Sequence, residues 1–170
     1  YVPPKRFEPG EKYEYSNTGY LLLASIAEKA SGKDFIDLCR KWIFRKLKMK
    51  STDIRTLEQK KATKNFAIGH MYVAERSKWV RADSFPSSNY TIWLGNRKGP
   101  GRISSTAIDL LKWDQALYTE KLIKQTTLQE AFTPMKLNDG SFSNYGFGWS
   151  LRTDSILGKI VSHNGDNPGY

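Results

Sequence analysis

The chain is poor in the residues that build metal centres and disulfides. Its 170 residues include one cysteine, Cys39, so no disulfide can close within it, although that leaves the compartment open. They include two histidines, His70 and His163. With no H-E-x-x-H and no clustered Cys/His spacing, a metal site is not expected. No apolar run approaches the ~18 residues of a membrane span. There is no G-x-S-x-G elbow and no G-x-x-x-x-G-K-[ST] loop, and Gly95, Gly99 and Gly101 form no dinucleotide fingerprint. No cofactor is therefore expected. An initiating Met and a signal peptide are also missing, and the chain opens on Tyr1-Val2-Pro3-Pro4. It reads as an excerpt of one domain.

What is present argues for a folded protein. Hydrophobic residues make up 39% and aromatics 13%, enough for a core at this length. The net charge is +10, and it is concentrated. Between Lys29 and Lys64 twelve Lys or Arg stand against four Asp or Glu. Such a face could attract nucleic acid, anionic lipid or an anionic cell-wall polymer. A solvated helix surface explains it as well. No zinc-finger, RNA-binding or basic-zipper signature accompanies it, so nucleic acid is not expected.

Periodicity predicts a helix leading out of Tyr15-Ser16-Asn17, capped by Ser16 or Asn17 and stopped by Gly32. Tyr20, Leu23, Ile26, Ala27 and Ala30 share its apolar face. A second helix is expected over 34–47, with Phe35, Leu38, Cys39, Trp42, Ile43 and Leu47 facing inward and Cys39 a buried small hydrophobe. Residues 48–66 read as an irregular connection. Strands are expected at 67–73 and 78–82, with a turn at 75–77. Residues 86–89 and 99–101 punctuate loops. Thr106 to Asp109 matches a capping box for a helix reaching about Tyr118, with Leu110, Leu111, Trp113, Ala116 and Leu117 apolar. A shorter helix should start near Thr127, with a box-like Glu130, and end at Pro134. A closing hairpin is expected from 145–152 and 158–163, turning at Asp154 and Ser155. Trp79, Trp93, Trp113 and Trp149 suit core or cleft wall, Trp149 nearest a cleft. His70, on an alternating strand, reads as structural.

The remaining polar constellation is Tyr15 and Asn17 early and His163-Asn164-Gly165 late. The phrases around them resemble the penicillin-recognising serine hydrolases: class C β-lactamases, D-alanyl-D-alanine carboxypeptidases and related esterases and D-aminopeptidases. F-x-P-G-x-x-x-x-Y-S-N-x-G-Y-x-L-L, from Phe7 to Leu23, looks like that family's Tyr-x-Asn phrase. The run from Ile43 to Thr52 looks like its pLGM-x-x-T, with Lys46 and Lys48 where Pro and Gly are usual. Gly101-Arg102-Ile103-Ser104-Ser105-Thr106-Ala107 looks like its glycine-rich entry to a helix. Tyr145-Gly146-Phe147-Gly148-Trp149, followed by His163-Asn164-Gly165, completes the order. Each phrase alone is weak, but four in sequence are strong.

The resemblance implies an α+β fold, an antiparallel sheet flanked by helices with a helical subdomain, of which this chain is part. It implies a serine that attacks a carbonyl to give an acyl-enzyme, with Tyr15 shuttling protons. Asn17 would hold the substrate amide. His163 would donate a hydrogen bond at the cleft edge, beside Asn164. Gly165 would admit the substrate backbone, and the N–H of Asp166 would supply half of an oxyanion hole. Trp149 would wall the cleft. No lysine here has a serine three residues before it; Thr133-Pro134-Met135-Lys136 comes nearest. The family's S-x-x-K lies upstream of Tyr-x-Asn, so it is expected before residue 1 and the chain alone should be inactive. The substrate would be a small molecule or peptidoglycan-like peptide. The location would be periplasmic or otherwise outside the cytoplasm, and an exposed sheet edge could pair two copies. The rival reading is a non-catalytic protein of the same fold that holds an anionic cell-wall polymer on its basic face.

Overall fold

The computed structural model describes residues 4–85 and 98–170. The loop expected at 86–89, Trp93 and Gly95 lie outside the described residues. Two compact units emerge: Asn17–Asp114 with Gly165–Tyr170, and Tyr1–Ser16 with Gln115–Asn164. The architecture is α+β. Among the described residues its sheet content is three separate antiparallel pairs of strands.

In the first unit, helix α1 spans Asn17–Ser31. Gly32 ends it with φ +66°, and its N–H reaches the Glu28 carbonyl at 2.9 Å. Left-handed backbone at that position is why a glycine stops the helix. The expected buried stripe is corrected: Ala24 is buried, whereas Leu23 and Ile26 are 55% and 60% exposed. Period fixes which residues share a face, but burial also requires an element lying on that face.

Helix α2, Phe35–Cys39, is capped by Asp34, whose carboxylate accepts from the Ile36 N–H at 2.8 Å. The single helix expected over 34–47 instead widens into a π-helical turn, Arg40–Phe44. There the Arg45 N–H bonds to the Arg40 carbonyl at 2.9 Å. Bonding from i to i+5 brings residues five apart onto one face, so Cys39 and Phe44 both reach the core. They join Met49 and Ile54, covered by Phe35, Ile36, Ile43, Leu47 and Trp113. Trp42 is left 56% exposed. Burial pushes the Cys39 thiol up to about 11, with help from the Asp34 charge.

Residues 48–66 are more ordered than their composition suggests. They hold strand β1, Asp53–Ile54, and helix α3, Leu57–Ala62. Thr56 and Gln59 form a reciprocal capping box at the start of α3. Strand β1 pairs with β4, Ile103–Ser104, and Asp53 takes a two-pronged bond from Arg40, 2.8 Å for each nitrogen. Between them in the chain, β2 (His70–Val73) and β3 (Lys78–Arg81) form a hairpin closed by a turn at Ala74–Arg76. Trp79 stands 68% exposed on that hairpin, against Tyr72, rather than in a core.

Helix α4, Ala107–Leu117, begins as expected. Its capping box is half formed: the Asp109 N–H bonds to the Thr106 hydroxyl at 3.3 Å. The Asp109 carboxylate turns instead to the Ser51 N–H (2.8 Å), the Thr52 hydroxyl (2.9 Å) and the Lys112 ammonium (2.6 Å). Leu110 and Leu111 are exposed.

In the second unit, α5 spans Gln125–Ala131 and starts two residues before Thr127, with no side-chain cap from Lys124. Strands β5 (Ser150–Asp154) and β6 (Gly158–Ser162) make the closing hairpin in the register Ser150↔Ser162 to Asp154↔Gly158. Asp154 Oδ1 accepts the N–H groups of Ile156 and Leu157, both at 2.9 Å, which shapes the turn. The strand expected from Tyr145 starts at Ser150, because 146–149 fold into a tight turn with the Gly146 N–H on the Trp149 carbonyl at 2.8 Å.

Candidate active site

Three short segments of the second unit converge. The first carries Tyr13 and Tyr15. It is tied down upstream by Asn138, whose backbone N–H reaches the Gly10 carbonyl at 2.8 Å and whose side-chain amide reaches the Pro9 carbonyl at 3.1 Å. The second carries Tyr145, which is fixed on both sides. Buried Ser143 donates its hydroxyl to the Tyr145 carbonyl at 2.8 Å. The Gly146 backbone lies so close to Ala131 that a Cβ there would stand 2.1 Å from the Ala131 carbonyl oxygen. The third is His163, the residue after β6.

The rings meet at close range. Tyr15 and His163 have centroids 6.0 Å apart. Tyr145 stands edge-on to both, 5.9 Å from each, and Tyr13 stacks on Tyr145 at 5.1 Å and 23°. His163 Nε2 lies 2.7 Å from the Tyr145 hydroxyl, and Nδ1 lies 2.6 Å from the Asn164 carbonyl oxygen. These side chains, with Asn164 and Arg152, line an open cavity of about 410 Å³. Tyr15 is 49% exposed, so its phenol is accessible. The Arg152 guanidinium adds positive charge, moderated by Asp154 at 3.6 Å.

The sequence-derived candidates distribute as follows. Tyr15, His163 and Asn164 come together at this cavity. Trp149 stands edge-on to Phe132 at 5.4 Å and does not line it. Asn17, Gly165 and Asp166 belong to the other unit. There Asn17 opens α1, a Cβ on Gly165 would meet nothing within 4 Å, and Asp166 is exposed. Tyr13, Tyr145 and Arg152 were not singled out from sequence. The glycines flanking Phe147 were the available signal for Tyr145, since they mark a turn that presents the residue before it.

Elsewhere, His70 holds the Ile68 carbonyl at 2.8 Å. A cavity of about 270 Å³ in the first unit, lined by Lys60, Arg81 and Tyr170 among others, contains none of the candidates. Among the described residues no three His, Cys, Asp or Glu side chains gather as metal ligands would. None of the described helices is long and apolar enough to cross a membrane.

Residues 2–170 match the Beta-lactamase family, and the chain belongs to it. It is 40% identical over 166 residues to Penicillin-binding protein 4* of Bacillus subtilis (strain 168), covering 96% of this chain and 37% of that protein. Among solved structures it resembles the octameric penicillin-binding protein homologue from Pyrococcus abyssi, with TM-score 0.73 and 25% identity over 92% of this chain and 34% of that one. It also resembles the D-amino acid amidase from Ochrobactrum anthropi SV3 complexed with L-phenylalanine amide. That likeness has TM-score 0.70 and 30% identity over 96% of this chain and 46% of the amidase. The chain thus spans less than half the length of each of these proteins.

Proposed function

We propose that this chain is the tyrosine- and histidine-bearing part of a serine hydrolase that works through an acyl-enzyme. The observation that carries the reading is the Tyr15–His163 approach at the edge of an open cavity, in a chain of the Beta-lactamase family. A serine hydroxyl becomes a nucleophile only when a neighbouring group takes its proton as the bond to carbon forms. Tyr15 fills the proton-shuttling role: it relays the proton from the attacking serine to the leaving group, and the reverse when water releases the acyl group. The serine and its lysine partner come from sequence outside these 170 residues. Asn17, as a ligand for the substrate amide, and the Asp166 N–H, as an oxyanion donor, are carried over from the family phrases.

The cavity and the relatives together support a substrate class. Amides and esters of D-amino acids, D-amino-acid peptides and β-lactams all present an acylating carbonyl, and Arg152 favours those with a carboxylate nearby. Cleavage of cell-wall peptide would place the protein outside the cytoplasm, where such substrates lie. Assembly is open to edge strands, although the outer side of β5 is met at Ser150 and Leu151 by residues 144–145 and that of β2 at His70 by Gly169.

The test uses the full-length protein. Fluorescent penicillin should label it covalently, and a D-amino-acid p-nitroanilide or p-nitrophenyl acetate should be hydrolysed. Tyr15→Phe should lower kcat by about 10²-fold or more, the range for losing a general acid–base group. A full-length protein that is neither labelled nor active on any of these would overturn the proposal. It would leave the basic stretch between Lys29 and Lys64, and an anionic polymer, as the better account.

A further inference from the structure

His163 is held at both ring nitrogens, and its two partners differ in what they can do. The Asn164 carbonyl oxygen, 2.6 Å from Nδ1, can only accept a hydrogen bond. Whenever the imidazole is neutral, Nδ1 must therefore carry the hydrogen. Nε2 is then the acceptor, and the group facing it at 2.7 Å is the Tyr145 hydroxyl, which must donate. We infer that Tyr145 is a positioning residue: its O–H holds the His163 ring in the Nδ1–H tautomer, with Nε2 turned to the phenol rather than to open cavity.

The surrounding geometry makes Tyr145 suited to that task. Its backbone is pinned by Ser143 and by the close approach of Gly146 to Ala131. Its ring is stacked by Tyr13 and met edge-on by Tyr15, so the hydroxyl can move little. All of these residues lie in one compact unit. A consequence for chemistry follows. With Nε2 occupied, neutral His163 offers the cavity no N–H from that atom. The link to catalysis rests on the hydrolase reading above, whereas the tautomer does not.

The experiment separates the two. The full-length protein is labelled with ¹⁵N at histidine, and long-range ¹H–¹⁵N correlations of the rings are recorded across a pH series, the neutral form being read from the ring nitrogen shifts themselves. His163→Gln assigns the signals. The expected wild-type pattern is a protonated-type Nδ1 and an imine-type Nε2. In Tyr145→Phe, the Nε2 resonance should move towards that of an unbonded imine, or the two tautomers should mix. Tyr118→Phe, at a tyrosine 79% exposed, should change nothing. On a D-amino-acid p-nitroanilide, Tyr145→Phe should lower kcat about fivefold, as for one neutral hydrogen bond, with KM within about twofold. An Nε2–H tautomer in the wild type overturns the inference even if the variant does not fold. Ring signals unmoved in Tyr145→Phe overturn it as well. Ring signals that move in a protein inert to every acyl donor uphold the positioning role and overturn the hydrolase reading.

Discussion

Replacing Asp109 with Ala should be among the more damaging single changes in the first unit, and its cost can be worked out bond by bond. Asp109 is 2% exposed, and its two oxygens receive three donors: the Ser51 N–H, the Thr52 hydroxyl and the Lys112 ammonium. An alanine takes both oxygens away. Thr52 can fall back on the Ser105 hydroxyl at 2.7 Å, and Lys112 keeps the Lys48 carbonyl at 2.9 Å and access to water. The Ser51 N–H has no such alternative in view. One orphaned donor costs about 1–3 kcal/mol, and the lost charge-assisted bond from Lys112 adds to it; the sum is about 3 kcal/mol. Burial alone would raise the Asp109 carboxyl, but the bonds from Lys112, Ser51 and Thr52 outweigh it and hold the group below the usual carboxylate range. A carboxyl that binds its proton less tightly when folded adds stability above its unfolded pKa of ~4, and that stability is lost as pH falls through the lower, folded value. Urea unfolding of wild type and Asp109→Ala should therefore differ by about 3 kcal/mol at pH 7, and the gap should narrow below pH ~4. A difference under about 1 kcal/mol at pH 7, or one that does not shrink in acid, would refute the reasoning.

The other expectations are narrower. Lys48 sits at φ +56°, where a side chain costs roughly 1–2 kcal/mol. Lys48→Gly should raise stability by up to about 1 kcal/mol in urea unfolding, after the added freedom of the unfolded chain is discounted. Gly146→Ala should destabilise by about 2–3 kcal/mol, because the new methyl cannot share space with the Ala131 carbonyl. The same variant should disturb the ring signals of His163 through Tyr145. Tyr15→Phe should leave thermal stability within about 0.5 kcal/mol while abolishing most acyl transfer, which separates a chemical role from a packing one.

How much of this was legible in the sequence depended on whether the signal was local. Gly32 and the 78–81 strand were readable because left-handed backbone and alternation act within a few residues. The Thr56–Gln59 capping box is equally local, but the helix it opens, Leu57–Ala62, is polar and basic with no buried residue, so no apolar stripe marks it. The π-helical turn at Arg40–Phe44 was not readable, since it arises from two core positions five residues apart competing for one face. The exposure of Leu23, Ile26, Leu110 and Leu111 was likewise hidden, because amphipathic spacing identifies a face without naming what covers it. The family phrases add one more lesson. Lys48 stands where the phrase usually has Gly, and Arg102 follows Gly101 in a glycine-rich one; both take positive φ, +56° and +85°. The backbone has kept the conformation that glycine would ease, and the substitution pattern marked both places.

Of the residues at the cavity, the sequence offered Tyr15, His163 and Asn164 but not Tyr13 or Arg152, and the geometry was hidden for a reason that lies in what supports it. Tyr15, Tyr145 and His163 each sit at the end of a turn or strand rather than within a helix, so no periodicity relates them. What brings them together is the hairpin register Ser150↔Ser162 with the bridge Tyr145↔Ser150, which sets Tyr145 and His163 at the same end of β5 and β6. Register errors of a single residue reverse the face of every side chain in a strand. A hairpin slipped by one position would turn His163 away from the Tyr145 hydroxyl and leave Tyr15 facing an empty cavity wall. The Asp154 turn and the packed Gly146 backbone are thus tied to the site chemistry even though neither touches it: they fix the one register in which a phenol can hold the imidazole.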